Sequence, residues 1–538
     1  MALPIPLPAL SALLLTLLCI YKFLIYPLFL SPLSKIPAAH PLAAVSSLWI
    51  VYKRYSFCEL ATIHDAHQRL GEVVRLGPGE VSVNCVRGGI QTVYGGGFEK
   101  HDWYPNMFTN YGHTNMFSMI TSKPHSIRKR MISATYSKTT LQSSAALAAQ
   151  SHSILHSRFL PLLTRLASSN EPFNIFPLLS AITMDFVTCY LFGLSSGSNL
   201  LQKEEERNHF LHLYHCRRSY NFWPQEMPRM KAWLEWFGVK VVPSWVGDAN
   251  EEIEKWTMGM VEGAERVRET GVEDVADSPT VYAQLAGSMV KASSSSSPSK
   301  VEDPTPETER LQIASELLDH LAAGFDTSGI TLVYLIHCLS LRPKLQSALR
   351  AELLTLSPPI LPSSSSPNLP SPKYIDALPL LNAIVQETLR LHAAIPGPQP
   401  RVTPASGCKL GGEGKEFWVP GGVRCSAQAW SLHRNGEVYA DPGEWRPERW
   451  LVEEEDGELG KKVRFVCEGE MARWWWAFGS GGRMCVGSNL AIYQMKMIVA
   501  AIYTCFTTSI VDDEGIEQCD LYTAPPRGNK LMVKLEAV

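Results

Sequence analysis

The residues best equipped for chemistry lie near the C-terminus, where Phe478 to Gly487 reads FGSGGRMCVG. Cys485 stands just ahead of a long apolar helical stretch, SNLAIYQMKMIVAAIYTCF. A thiolate there would face backbone N–H groups and the positive end of a helix dipole, both of which lower a thiol's pKa. Gly481, Gly482 and Gly487 let the backbone turn sharply and approach a flat ligand closely. Arg483 directs a permanent cation at an acidic group, and Phe478 supplies an aromatic wall. The combination is what a thiolate-ligated haem needs. The sulfur pushes electron density into the iron, and hydrogen bonds to the sulfur tune that donation.

Other elements must position this loop. A helix is predicted from about Glu307 to Leu341, ended by Arg342-Pro343, and it contains Ala323-Gly324-Phe325-Asp326-Thr327. An interior Gly costs about 1 kcal/mol relative to Ala, and a Thr hydroxyl bonded back to a carbonyl bends a helix. A kink there would open a groove for dioxygen and water. Thr327 would hydrogen-bond the dioxygen, and Asp326 would relay protons from solvent. Downstream, Glu387 and Arg390 are three apart and share one face of an amphipathic helix. The spacing alone selects nothing, because Glu204/Arg207, Glu265/Arg268, Glu307/Arg310 and Glu470/Arg473 share it. Order selects Glu387: it follows the kinked helix and precedes DPGEWRPERW, which brings Arg449. Upstream, KPHSIRKRMISATYS sets His125 and Lys129 four apart beside Arg128 and Arg130. That basic face would pair with carboxylates or dock an acidic partner.

The pattern F-x-x-G-x-R-x-C-x-G resembles the haem-binding loop of the cytochrome P450 monooxygenases. AGFDT resembles their oxygen-activation motif, and ETLR with PERW resembles their E-x-x-R signature and its arginine partner. The likeness covers nearly the whole chain in the family's order, excluding two Ser/Pro-rich inserts. It implies the cytochrome P450 fold, mainly α with small β-sheets, with an N-terminal transmembrane helix. It implies haem b, with Cys485 as the only protein ligand to iron and Phe478, Gly481, Arg483 and Gly487 around it. Asp326 and Thr327 would be catalytic. Glu387, Arg390 and Arg449 would form a buried structural network that locks the cysteine loop. Arg401 would anchor a haem propionate, as would His125 and Lys129. The family usually carries Trp and Arg at those last two positions, and neither His nor Lys has arginine's bidentate fork. Ala393 to Pro400, the loop His101 to Phe117 and the tip Thr523 to Pro526 would lie near substrate. Electrons would come from NADPH through a flavoprotein reductase, with cytochrome b5 as an optional second donor.

Composition agrees. With 45% hydrophobic and 19% charged residues the chain can bury a sizeable core, and a net charge of −3 argues against a nucleic-acid partner. The 12 cysteines are scattered with no CxxC, which disfavours a zinc ribbon, a thioredoxin-type site and a disulfide framework. The catalytic part therefore faces a reducing compartment.

Residues 1–31 read as a membrane anchor, apolar from Ala9 to Ile20 and from Phe23 to Leu30. A cleaved signal peptide competes, but a basic start and a clear A-x-A site are missing. Residues 32–50, with Pro32, Pro37 and Pro41, read as a proline-rich hinge, and 51–538 as the haem–thiolate catalytic domain. Lys35, Lys53 and Arg54 place the body on the cytoplasmic side. The likeness to fungal microsomal members implies a single-pass anchor in the endoplasmic reticulum membrane. Stretches 292–306 and 357–372 read as flexible inserts, and Glu72 to Cys85 as a hairpin. Trp223, Trp233, Trp236 and Trp245 are either core aromatics or an interfacial roof. The expected reaction is hydroxylation, epoxidation or oxidative coupling of a largely apolar small molecule in fungal secondary metabolism. The alternatives are a reductase-independent isomerase or dehydratase and a non-catalytic haem sensor.

Overall fold

Packing is organised along one 35-residue helix, Pro306–Ser340, in a computed structural model that describes residues 7–295, 305–362, 368–455 and 461–538. Pro306 starts the helix, the Thr305 side chain accepts a hydrogen bond from Thr308 N, and Glu307 and Glu309 complement the dipole. The helix is continuous through Gly324, so the expected opening is not a break. Gly324 serves close packing: a Cβ there would lie 2.6 Å from Val187 Cγ2 on helix Phe176–Phe192. Across the same contact Thr183 Oγ1 donates to Phe325 O at 2.9 Å. From helix Ser488–Cys505, Gln494 Nε2 donates to Gly324 O at 3.1 Å and to Ser328 Oγ at 2.6 Å. The core of this unit is aliphatic and aromatic, with Leu332 to Ile336 and Ile498 to Ile502 inaccessible or nearly so.

The architecture is mainly α with small β-sheets, and the chain divides into two compact units. The larger holds residues 102–396, 436–478 and 484–538. Its three-stranded sheet joins Phe506–Asp512, Met532–Ala537 and Phe173–Asn174. On its surface, helix Pro228–Trp236 and the residues after it expose Trp233, Trp236 (78% accessible), Phe237 and Trp245. Trp233, Trp236 and Trp245 are therefore not core aromatics, whereas Trp223 is half-buried.

The smaller unit holds residues 1–101, 397–435 and 479–483. Its five-stranded sheet runs in the order Val73–Gly77, Glu80–Val83, Arg424–Ser426, Arg401–Val402, Glu99–Lys100. The first two strands form the expected hairpin, with Val73 opposite Val83. Apolar helical residues Leu7–Leu30 are almost wholly exposed. The proline-rich stretch after them is not an open spacer: Leu33, Ile36, Ala43, Ala44 and Ile50 are buried. Arg75 N donates to Pro37 O at 2.8 Å and Ala39 N to Arg75 O at 3.0 Å. The buried Arg75 guanidinium donates to the carbonyls of Pro27, Ala44, Gly77 and Pro78. One arginine thus ties the membrane-proximal stretch to the first hairpin through four backbone carbonyls.

Both Ser/Pro-rich inserts lie partly outside the described residues. Helix Thr280–Ser295 runs into the first, and residues 296–304 lie outside the described residues. In the second, Ile360 is buried and its carbonyl accepts from Cys505 Sγ at 3.2 Å. Leu361 and Leu369 also pack on the core, while 363–367 lie outside the described residues.

Candidate active site

Cys485 is held from both sides by its own unit. Its N–H donates to Phe478 O at 3.0 Å, and Phe478 packs on Trp475 with ring centroids 5.7 Å apart. Gly487 caps helix Ser488–Cys505, and the N–H groups of Gly487 and Ser488 are directed at the sulfur. Lys129 Nζ donates to Met484 O at 3.1 Å and brings its charge near the thiol. The expectation of a lowered pKa fails. Burial raises the Cys485 thiol above its ordinary value, against the Gly487 N–H, the Lys129 charge and the Ser488 N–H, with Asp319 adding to the rise. Desolvation outweighs dipoles and one cation. Cys485 nevertheless keeps accessible surface as a residue, although protein surrounds the thiol.

The basic helix Ser122–Ile132 is only partly as expected. His125 is buried, and Lys129 is committed in part to the cysteine loop. Arg128 faces inward, with its Nε 3.8 Å from the buried carboxylate of Glu316. Arg130 is exposed.

In the smaller unit, Gly481 has φ +72°, and a Cβ would sit 2.1 Å from Tyr94 O, so only glycine fits. Gly479 also has positive φ, at +67°. Gly482 and Gly487 do not, and a Cβ at either would meet nothing. Arg483 Nη2 donates to Glu99 Oε2 at 2.9 Å. Arg401 is buried, donates to Pro400 O at 2.9 Å and stacks over the Tyr94 ring at 4.9 Å.

Asp326 is buried, and its Oδ1 accepts from Arg218 Nη2 at 2.5 Å. Its Oδ2 has no hydrogen-bond partner. Thr327 Oγ1 donates to Ala323 O at 2.8 Å, which leaves the hydroxyl oxygen free to accept. Arg218 was missed in the sequence, where it is one of two adjacent arginines 108 positions from its partner. Glu387, Arg390 and Arg449 come together as a buried cluster, with Glu387 and Arg390 inaccessible. Trp450 Nε1 and Arg446 N complete it, each 2.9 Å from Glu387. Among the competing pairs, the carboxylates of Glu204 and Glu470 lie at the surface, 74% and 59% accessible.

Trp103, Tyr104, Phe108 and Phe117 from the loop His101 to Phe117 pack with one another. Tyr522, beside the C-terminal tip, joins them 5.0 Å from Phe108 and 5.5 Å from Trp103.

Residues 47–532 match the family model described as Cytochrome P450. The chain belongs to the cytochrome P450 family. It is 28% identical to cytochrome P450 monooxygenase avaI of Aspergillus versicolor over 80% of this chain and 94% of that one. It is 27% identical to cytochrome P450 monooxygenase ankB of Aspergillus thermomutatus over 94% and 90%. It is also 27% identical to the tryprostatin B 6-hydroxylase of Neosartorya fischeri over 93% and 81%. The protein is an oxidoreductase of the monooxygenase type.

A cytochrome P450 implies haem, and the residues present fit it. An accessible cysteine, two backbone N–H groups directed at its sulfur and no competing metal-ligand cluster among the described residues suit a site with one soft sulfur ligand.

Proposed function

We propose that this cytochrome P450 uses O₂ and two electrons from NADPH, passed through a flavoprotein reductase, to oxygenate a largely apolar small molecule of fungal secondary metabolism. Bound haem would supply O₂ activation and insertion of one oxygen atom into the substrate. The observation that carries the reading is Cys485, with amide N–H groups directed at its sulfur ahead of a long helix. Cys485 would ligate the iron. Arg401, Arg483, His125 and Lys129 would offer cations to the propionates, and Phe478, Gly481 and Gly487 would shape the loop. Asp326 Oδ2 is the atom that would take up and hand on a proton, with Arg218 holding the other oxygen. Thr327 would accept or pass hydrogen bonds beside it. Glu387, Arg390 and Arg449 would keep the loop's support rigid.

The aromatic cluster of Trp103, Phe108, Phe117 and Tyr522 favours an apolar, ring-bearing substrate. One relative is named a tryprostatin B 6-hydroxylase, a small-molecule hydroxylase. Hydroxylation is the leading reaction, and epoxidation or coupling of phenols would use the same residues. Asp326 and Thr327 speak against a reductase-independent isomerase. The exposed apolar helix Leu7–Leu30 and the Trp233, Trp236 and Phe237 patch suit a protein anchored in the endoplasmic reticulum membrane, its body cytoplasmic. The test is Cys485→Ala: it should abolish the thiolate-type absorbance band of the ferrous–CO form. An unchanged band overturns the ligand assignment.

A further inference from the structure

One buried group of titratable side chains has no part in the reading above. Tyr136 is buried, and its hydroxyl lies 2.7 Å from His320 Nδ1. The other ring nitrogen, Nε2, is 3.4 Å from Glu316 Oε1, a charge contact without hydrogen-bond alignment. Glu316 is inaccessible, accepts from Met116 N at 3.0 Å through Oε2 and faces Arg128. When Tyr136 donates to Nδ1, the imidazole carries its own proton on Nε2, facing the carboxylate. These are the roles of an acid-held imidazole acting as base for a hydroxyl. The hydroxyl here belongs to a buried tyrosine whose hydrogen-bond partner is the imidazole itself.

We propose that Tyr136 and His320 form a redox-active pair: Tyr136 gives up one electron while its hydroxyl proton passes to His320 Nδ1. The products are a neutral tyrosyl radical and an imidazolium facing Glu316. The electron goes to a strong one-electron oxidant, of the class a haem protein holds after treatment with a peracid. The proposal therefore rests on the haem reading. Burial raises the Tyr136 hydroxyl well above its ordinary pKa, so loss of the proton before the electron is disfavoured. A base already in place at hydrogen-bond distance removes that obstacle. The pair also lies near the cysteine loop. Asn489 Nδ2, four residues after Cys485, donates to Tyr136 O at 3.0 Å, and the Cys485 charge acts on Tyr136. Its neighbour Tyr190, with ring centroids 6.1 Å away, is the internal control. The Tyr190 hydroxyl donates to Thr135 O at 2.6 Å, and a backbone carbonyl cannot keep its proton. The pair would drain oxidising equivalents from the site when no substrate consumes them.

The experiment treats haem-loaded protein with meta-chloroperbenzoic acid, freezes it rapidly and records the electron paramagnetic resonance spectrum. A tyrosyl signal that narrows with ring-deuterated tyrosine is expected. It should be lost in Tyr136→Phe and in His320→Gln and retained in Tyr190→Phe. A signal undiminished in Tyr136→Phe or His320→Gln overturns the proposal, as does a wild-type protein with a normal thiolate-type CO band and no radical. Absence of that band overturns the haem reading and this proposal with it.

Discussion

Two buried carboxylates in the larger unit each hold arginine, and their surroundings differ. Around Glu387 both oxygens are saturated. Oε1 accepts from Arg390 Nη2, Arg446 N and Arg449 Nε, and Oε2 from Arg390 Nε and Trp450 Nε1, all within 3.0 Å. Arg390 also donates to the carbonyls of Pro442 and Glu444 and lies over the Tyr439 ring. Around Asp326 one oxygen holds Arg218 and the other is buried without a partner, as is Arg218 Nε. A saturated charge has one arrangement available and stays put. An unsatisfied one is costly to maintain and retains a vacant acceptor for a proton or a water. The first arrangement suits a structural lock; we propose that the second serves proton transfer.

The strongest way to break this contrast is Glu387→Ala. It strands the buried guanidinium of Arg390, and losing one member of such a network costs about 3–5 kcal/mol. The variant should fail to yield soluble, haem-loaded protein. A folded variant with a normal melting temperature would refute the structural assignment.

Asp326→Asn should separate stability from chemistry. The side chain keeps its shape and an oxygen for Arg218, so the fold and the ferrous–CO band should survive. Product formed per NADPH consumed should fall by about 10²-fold, the lower end of what a positioned acid or base contributes. If product yield holds while stability collapses, Asp326 belongs with Glu387 and the contrast disappears. Arg218→Lys sharpens the same point more gently. It keeps the charge but not the planar guanidinium, and should lower yield by about tenfold or less, with the pH profile of turnover displaced.

What was legible in the sequence follows the same division. Short-range patterns led to Glu387 among several identical spacings, because motif order records which pair follows the long helix, and the structure brings Glu387, Arg390 and Arg449 together. Partners distant in sequence were invisible: Arg218 reaches Asp326 across 108 positions, and the carboxylate beside Arg128 is Glu316, far along the chain. The thiol pKa of Cys485 was misjudged because desolvation depends on the whole surrounding fold, whereas dipoles and nearby cations can be read locally. The prolines of 32–50 suggested a hinge because they stiffen a chain. Nothing near them shows that Arg75 would gather the carbonyls around them.

The smallest effect concerns the edge of the saturated cluster. Trp450 is inaccessible, and its indole N–H is one of the two donors to Glu387 Oε2. Trp450→Phe removes that donor and some ring volume, while both arginines remain to neutralise the carboxylate. A hydrogen bond to a charged group contributes about 1.5–3 kcal/mol, so a thermal shift should show a clear but non-lethal loss, with the CO band and the yield per NADPH unchanged. If the loss equals that of Glu387→Ala, the cluster is a single unit in which each donor is indispensable. A loss in yield without a loss in stability would mean that Glu387 is not merely a lock, and the division between the two carboxylates would have to be redrawn.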